Sequence, residues 1–439
     1  MKKIYLSMLA AFALNAGMNA QTACNNGRYS SDVYPTYTVT SGIAYGKNVT
    51  FSNTTQTLTL DFYEPVGDTA HFRPLIIWAH GGSFIGGSST DADVVSLSQH
   101  FAKKGFVCAS INYRLGFFPI DSVHAIPAVI RAVQDMKAAI RFFYKDRSTT
   151  NTYKIDTNNI FIGGSSAGAI TALHTAYLDR TCEINPYVNA ATLASMGGLD
   201  GASGNQCYSQ KVKGVINLCG ALAMYGWLEA GNIPLCSMHG TADGTVKYSR
   251  GVVNPGVALM YLDGSRMLKA QTDAVGVPHS FYTWYGADHV PYAGTSATQL
   301  QYMDTTVNFV RDYLIGRLAC TDPALQAPNA PYGTATLYAY TPCTGNVSTP
   351  CDVGVHEYES TLVSEIYPNP SSSNIHVVIS DQSASHTVVL TDLTGKTLQT
   401  VNSTSEDIIV ERNNVAPGIY FLKISNDKGQ MAVKKVIFN

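Results

Sequence analysis

The sequence predicts an α/β chain, a doubly wound and mostly parallel sheet followed by a small C-terminal β-sandwich. Three observations carry this. From about residue 40 to 320, apolar strand-like runs alternate with helix-like ones, as in a sheet whose crossovers are helices. After Cys320 the composition turns to Pro, Ala, Thr and Gly with no helical period. From about Leu362, short runs of alternating polarity return between polar turns, the pattern of a sandwich.

The elements follow in order. Residues 1–20 read as a secretory signal peptide: two lysines, an apolar stretch from Ile4 to Leu14, then small residues, with cleavage expected after Ala20. That stretch is too short to anchor the chain stably in a bilayer. Strands are expected at 57–63, 75–79, 107–112, 160–163, 212–218, 235–239 and 280–285. Helices are expected at 91–104, 125–147, 168–179, 256–276 and 296–318. Residues 21–320 thus form the large domain, and 321–361 a linker pinned by Cys343 and Cys351. Residues 362–439 form the sandwich, with strands in NIHVVIS, HTVVLTD, EDIIVER, GIYFLKIS and AVKKVIF.

A net charge of -2 with 14% charged residues offers no basic surface for nucleic acid and no polybasic membrane patch. Nine cysteines in an exported chain imply disulfides with one thiol left over, and Cys108, inside an apolar run, is the expected free thiol. Spacing alone does not decide connectivity. The locally plausible pairs are Cys182 with Cys207, Cys219 with Cys236 and Cys343 with Cys351, which leaves Cys24 with Cys320. No Cys-x-x-Cys or His-rich cluster suggests zinc.

The stretch IFIGGSSAGA, residues 160–169, ends a buried strand in two glycines and two serines. A Gly-x-Ser-x-Gly elbow centred on Ser166, flanked by Gly164 and Gly168, would hold a serine in a strained turn between strand and helix. Centred on Ser165, the flanks would be Gly163 and Ala167, a poorer fit. A nucleophilic serine needs a base, an acid that orients the base, and donors for the oxyanion, each at the carboxyl end of a strand. His289 follows the strand SFYTWYG, whereas the rival His279 precedes it and falls at the opposite edge of the sheet. Asp243 follows PLCSMHG directly. AHGGSFIGGS at 79–88 supplies a glycine loop, so Gly82, Ser83 and Ala167 are the expected oxyanion donors. Phe117, Phe118, Tyr225, Trp227 and Tyr292 stand in loops that could line an aromatic substrate pocket.

With serine, aspartate and histidine in that order and a glycine loop upstream, the chain resembles the α/β-hydrolase carboxylesterases, hormone-sensitive-lipase-like and type-B. The resemblance rests on LDFYEP, HGGSF, NYRLG, IDTNNIFIGGSSAG, HGTADGTV and GADH, over roughly residues 57–292. Ser83 stands where many relatives carry a third glycine, and Ser165 where an acid or Gln is frequent. Farther on, YPNPSSSNIHVVI, LTGK, GIYFLKIS and VKKVIF resemble the C-terminal sorting domain of proteins exported by the type IX system. That implies release or surface display, with the secretion machinery as partner.

The resemblance implies a secreted serine carboxylesterase that needs no metal or organic cofactor. Export points to aryl or acyl esters, such as feruloyl or acetyl groups of plant polysaccharide, or to a polyester. The alternatives are a prolyl-oligopeptidase-like peptidase, which usually carries a large domain before the hydrolase, and a non-catalytic adhesion module, which typically loses the serine or histidine.

Overall fold

The computed structural model describes residues 24–318, 320, 333, 335–348, 362–380, 385–393, 395–427 and 431–439; the expected signal peptide lies outside them. Contacts divide these residues into two compact units. The first holds 24–140, 156–206 and 210–348; the second holds 141–155, 207–209 and 362–439.

The first unit is built on an eight-stranded sheet. Its strands are β1 (Tyr37–Val49), β2 (Thr55–Pro65), β3 (Arg73–Ala79), β4 (Val107–Ile111), β5 (Ile155–Ser165), β6 (Gly214–Leu218), β8 (Leu235–Gly240) and β11 (His279–Trp284). A separate short sheet holds β7 (Ala221–Leu222), β9 (Arg250–Val252) and β10 (Tyr261–Gly264). The large sheet runs β1-β2-β4-β3-β5-β6-β8-β11, antiparallel at β1, β2 and β4, and parallel where β3 meets β4 and from β5 to β11. The central strands β3, β4, β6 and β8 are buried along their whole length, as strands covered on both faces must be. The main helices are α1 (Ala92–Lys103), α2 (Ser122–Ser148), α3 (Ala167–Tyr177), α4 (Ser265–Val275) and α5 (Ala297–Arg317).

Two expectations change. The helix expected at 256–276 begins only at Ser265, because Gly256 takes φ +103° and the chain pairs β10 with β7 and β9 instead. Strand β1 went unpredicted: it is an edge strand, mostly exposed and rich in Thr, Ser and Gly, so burial leaves no alternation in its sequence.

Part of the expected linker is a strap on the first unit. The Tyr338 hydroxyl donates to Asp263 Oδ2 at 2.6 Å and receives Arg250 Nη1 at 2.7 Å; Ser348 N donates to Asp179 O at 2.6 Å. Cys343 bonds Cys182, not Cys351, and Cys207 is disulfide-bonded elsewhere than to Cys182. Cys24 bonds Cys320 as anticipated, and Cys108 is free. Cys219 and Cys236 are free as well. The register sets Ile216 opposite Cys236, so Cys219 lies three residues along, roughly 10 Å away and out of disulfide reach.

The second unit contains two antiparallel sheets. One has the order Val363–Tyr367, Asn374–Ile379, Asp407–Glu411; the other runs Thr397–Ser403, His386–Thr391, Gly418–Asn426, Met431–Phe438. Alternate residues such as Ile375, Val377, Leu390, Leu422 and Ile424 form its buried core. All five anticipated strands are present; Val363–Tyr367 and the exposed Thr397–Ser403 were unpredicted.

Candidate active site

The glycines of the elbow answer to close approach. A Cβ at Gly164 would stand 2.4 Å from Ala79 O, and one at Gly168 only 1.9 Å from the same oxygen, so β3 and the start of α3 meet with no room for a side chain. Between them Ser166 adopts φ 53°, ψ -117°. Such a conformation costs on the order of 1–3 kcal/mol and holds the hydroxyl out of the turn. Ser165, the last residue of β5, is wholly buried, and its Oγ accepts a hydrogen bond from Tyr292 at 2.8 Å.

The parallel strands bring three distant residues to one edge. Ser166 Oγ is 2.8 Å from His289 Nε2, and His289 Nδ1 is 2.7 Å from Asp243 Oδ2. A carboxylate can only accept, so Nδ1 carries the proton and Nε2 is left to accept from the serine. Asp243 Oδ1 accepts the backbone N–H groups of Thr245 at 2.9 Å and Val246 at 2.8 Å. Burial opposes ionisation of Asp243, but hydrogen bonds and charge attraction from His239 and His289 outweigh it and hold the carboxyl well below the usual carboxylate range. His279, the rival base, sits at the start of β11 with Nδ1 on Thr272 Oγ1 at 2.9 Å.

His239 was missed by sequence reasoning. Its Nε2 lies 3.1 Å from Asp243 Oδ2 and 2.9 Å from Val246 O, both acceptors, so it carries a proton shared between them. Its Nδ1 is held by Ser265 Oγ at 2.8 Å. The signal available was its position, at the end of β8 and four residues before the acid.

In the glycine loop, Gly82 takes φ +97°, and a Cβ there would lie 2.1 Å from Gly86 O. Ser83 follows at φ 56°. Ala167, first in α3, has an N–H with no acceptor inside its helix. Two hollows meet at Ser166. One is a narrow apolar slot lined by Ser83, Ser166 and Ala167 at one end and by Ile170, Leu178 and Trp227 farther in. The other is an open, more polar mouth lined by Gly82, Ser83, Ser166, His289, Asp91 and Asp93. Of the five aromatic residues anticipated for the pocket, only Trp227 lines either hollow. Tyr292 is buried beneath Ser165, Phe117 is buried elsewhere and Phe118 is exposed. The Tyr225 ring packs against Tyr338 at 4.7 Å. Packing turns the rings of Phe117, Tyr225 and Tyr292 away from both hollows, while Phe118 faces solvent.

Among the described residues, one group has the spacing of metal ligands: Cys219, Asp243 and His289, whose ligand atoms lie within 4.8 Å of one another. Asp243 and His289 are already hydrogen-bonded to each other, and burial pushes the Cys219 thiol up, away from the thiolate a metal would need.

His174 lines the slot and is buried, with both nitrogens engaged by Ile170 O and Ala223 N. Burial lowers its pKa to about 4. The folded value lies below the unfolded one, so stability from this group is complete above about pH 6.5 and lost as pH falls toward 4. By urea unfolding at pH 7.5 and 4.5, the acid loss should be roughly 2–3 kcal/mol smaller in His174→Gln than in the parent. Equal losses in the two proteins would refute it.

Residues 60–232 match the BD-FAE family profile, which covers the glycine loop and Ser166 but stops before Asp243 and His289. Residues 365–439 match the secretion system C-terminal sorting domain. Among curated proteins, the chain is 34% identical over 116 residues to carboxylesterase 3B of Mus musculus and 31% identical over 113 residues to gut esterase 1 of Caenorhabditis elegans. Each alignment spans 26% of this chain and 19% of the relative, so the chain covers about a fifth of the relatives' length. Among solved structures, apo Thermogutta terrifontis esterase 2 aligns at 20% identity and TM-score 0.47 over 67% of this chain and 97% of that one. No described helix is long and apolar enough to cross a membrane. The chain thus joins a domain with a segment that matches the BD-FAE family to a C-terminal domain that matches a secretion system C-terminal sorting domain.

Proposed function

We infer that the exported chain is a carboxylic-ester hydrolase working through a serine acyl-enzyme. The observation that carries this is the hydrogen-bonded relay Ser166–His289–Asp243, with Ser166 strained into a glycine-flanked elbow at the meeting of two hollows. In this reading Ser166 Oγ attacks the ester carbonyl and His289 Nε2 takes its proton. The N–H groups of Gly82, Ser83 and Ala167 hold the oxyanion. His289 returns the proton to the leaving alcohol, and water then repeats the sequence on the acyl-enzyme. Asp243 orients the imidazole and balances its charge without taking the proton. The aryl and acyl esters anticipated from the sequence share this chemistry.

Fluorophosphonate labelling, mapped by peptide mass, should modify Ser166, and the purified chain should hydrolyse p-nitrophenyl acetate but not a proline-containing peptide amide. Because Ser166, His289 and Asp243 supply nucleophile, base and orientation, EDTA should leave the rate unchanged. Labelling elsewhere, or a chelator-induced loss restored by zinc, would defeat the reading.

A further inference from the structure

We propose that the slot behind Ser166 is an acyl site for an apolar, unbranched chain of about eight carbons, and that the leaving alcohol departs through the polar mouth. The inference rests on Ser166 being the nucleophile. The direction follows from the base. To expel the alcohol, the C–O bond to it breaks while the proton taken from Ser166 Oγ passes from His289 Nε2 to the alcohol oxygen. That oxygen must therefore lie on the side His289 faces. His289 lines the open mouth and is absent from the lining of the slot. The acyl group, bonded to Ser166 Oγ through its carbonyl carbon, is left to point into the slot.

The slot follows one face of α3. Ser166, Ile170, His174 and Leu178 recur every four residues along its wall, so it runs roughly 12 Å from the nucleophile to His174. That depth far exceeds an acetyl group and suits an extended chain of about eight carbons. The opposite walls include Ile130 and Leu262, both buried apolar residues.

The surface lining the slot is overwhelmingly apolar, and the imidazole on the α3 wall is already committed. His174 donates from Nδ1 to Ile170 O at 2.8 Å and accepts the Ala223 N–H at 3.2 Å. A phenolic hydroxyl or a sugar pushed against so apolar a lining would lose water for little polar contact in return, whereas methylenes would gain burial. Of the ester classes expected from the sequence, the slot therefore disfavours feruloyl and makes poor use of acetyl.

The test is kcat/KM on p-nitrophenyl acetate, butyrate, hexanoate, octanoate and dodecanoate, at concentrations below micelle formation. The value should rise up to roughly three- to fourfold per added methylene. Octanoate should exceed acetate by at least about 50-fold, with dodecanoate no better. Two substitutions on different segments of the lining, Ala223→Phe and Ala125→Phe, each put a ring into the slot. Each should lower the octanoate-to-acetate ratio at least about tenfold, read only on protein whose circular dichroism matches the parent. Acetate hydrolysed as well as octanoate by the parent chain, or a ratio that neither folded variant moves, overturns the acyl-site assignment while leaving the esterase reading intact. If none of the esters is hydrolysed and Ser166 does not react with a fluorophosphonate, the esterase reading fails and this inference with it.

Discussion

Ser166→Ala is expected to lower kcat on a p-nitrophenyl ester by on the order of 10⁶, with Ser165→Ala retaining most of the rate. The two serines are neighbours in sequence but opposites in environment. Ser166 Oγ stands 2.8 Å from the imidazole that would take its proton, whereas Ser165 Oγ faces inward and accepts from the buried Tyr292. Removing the Ser165 hydroxyl leaves the Tyr292 hydroxyl without its acceptor, which costs about 1–3 kcal/mol of stability without touching the relay. Single-turnover assays with matched thermal melts separate the two effects. A Ser165 variant that is folded but inactive, or an active Ser166 variant, would show that the elbow presents the other hydroxyl.

Asp243→Asn is expected to lower kcat/KM by about 10⁴, and the structure says how. The backbone N–H groups of Thr245 and Val246 both point at Oδ1, so an asparagine keeps its carbonyl oxygen there and turns its NH₂ to the Oδ2 position. That position already faces two imidazole nitrogens, His289 Nδ1 and His239 Nε2. Facing an amide donor, His289 must accept at Nδ1 and carry its proton on Nε2, where it cannot take the proton of Ser166. Melting temperature should change far less than rate, because the substitution is nearly isosteric. A loss below tenfold would mean that Asp243 does not set the tautomer. Loss of rate in step with global unfolding would make its role structural.

How much of this was legible depended on how local the cause is. The elbow could be read from Gly164, Ser166 and Gly168 because its steric demand lies within five consecutive residues. Asp243 and His289 could be read because a parallel sheet delivers the carboxyl ends of its strands to one edge, so chain order and strand ends together predict the meeting. The same logic set His279 aside at the far end of β11. It failed where contacts join residues that no periodicity links. Cys182 meets Cys343 across 161 residues, and the segment read as linker is tied down by Tyr338 on Asp263. The aromatic pocket failed for a related reason: an aromatic ring in a loop packs wherever its local neighbours leave space, and sequence does not record which way it turns.

By itself, the sequence determined the doubly wound architecture, the sandwich tail, the strand ends at which Ser166, Asp243 and His289 meet, and the glycines that make the elbow possible. These follow from hydrophobic period, turn chemistry and the geometry of parallel strands, which neighbouring residues impose. Only the tertiary structure decided that His239 shares the carboxylate oxygen of Asp243 with His289, that Ser165 is turned to Tyr292, and that an apolar slot runs from Ser166 along α3. Each is a relation among side chains from separate elements. Packing sets such relations to within an ångström, and no stretch of the chain contains them.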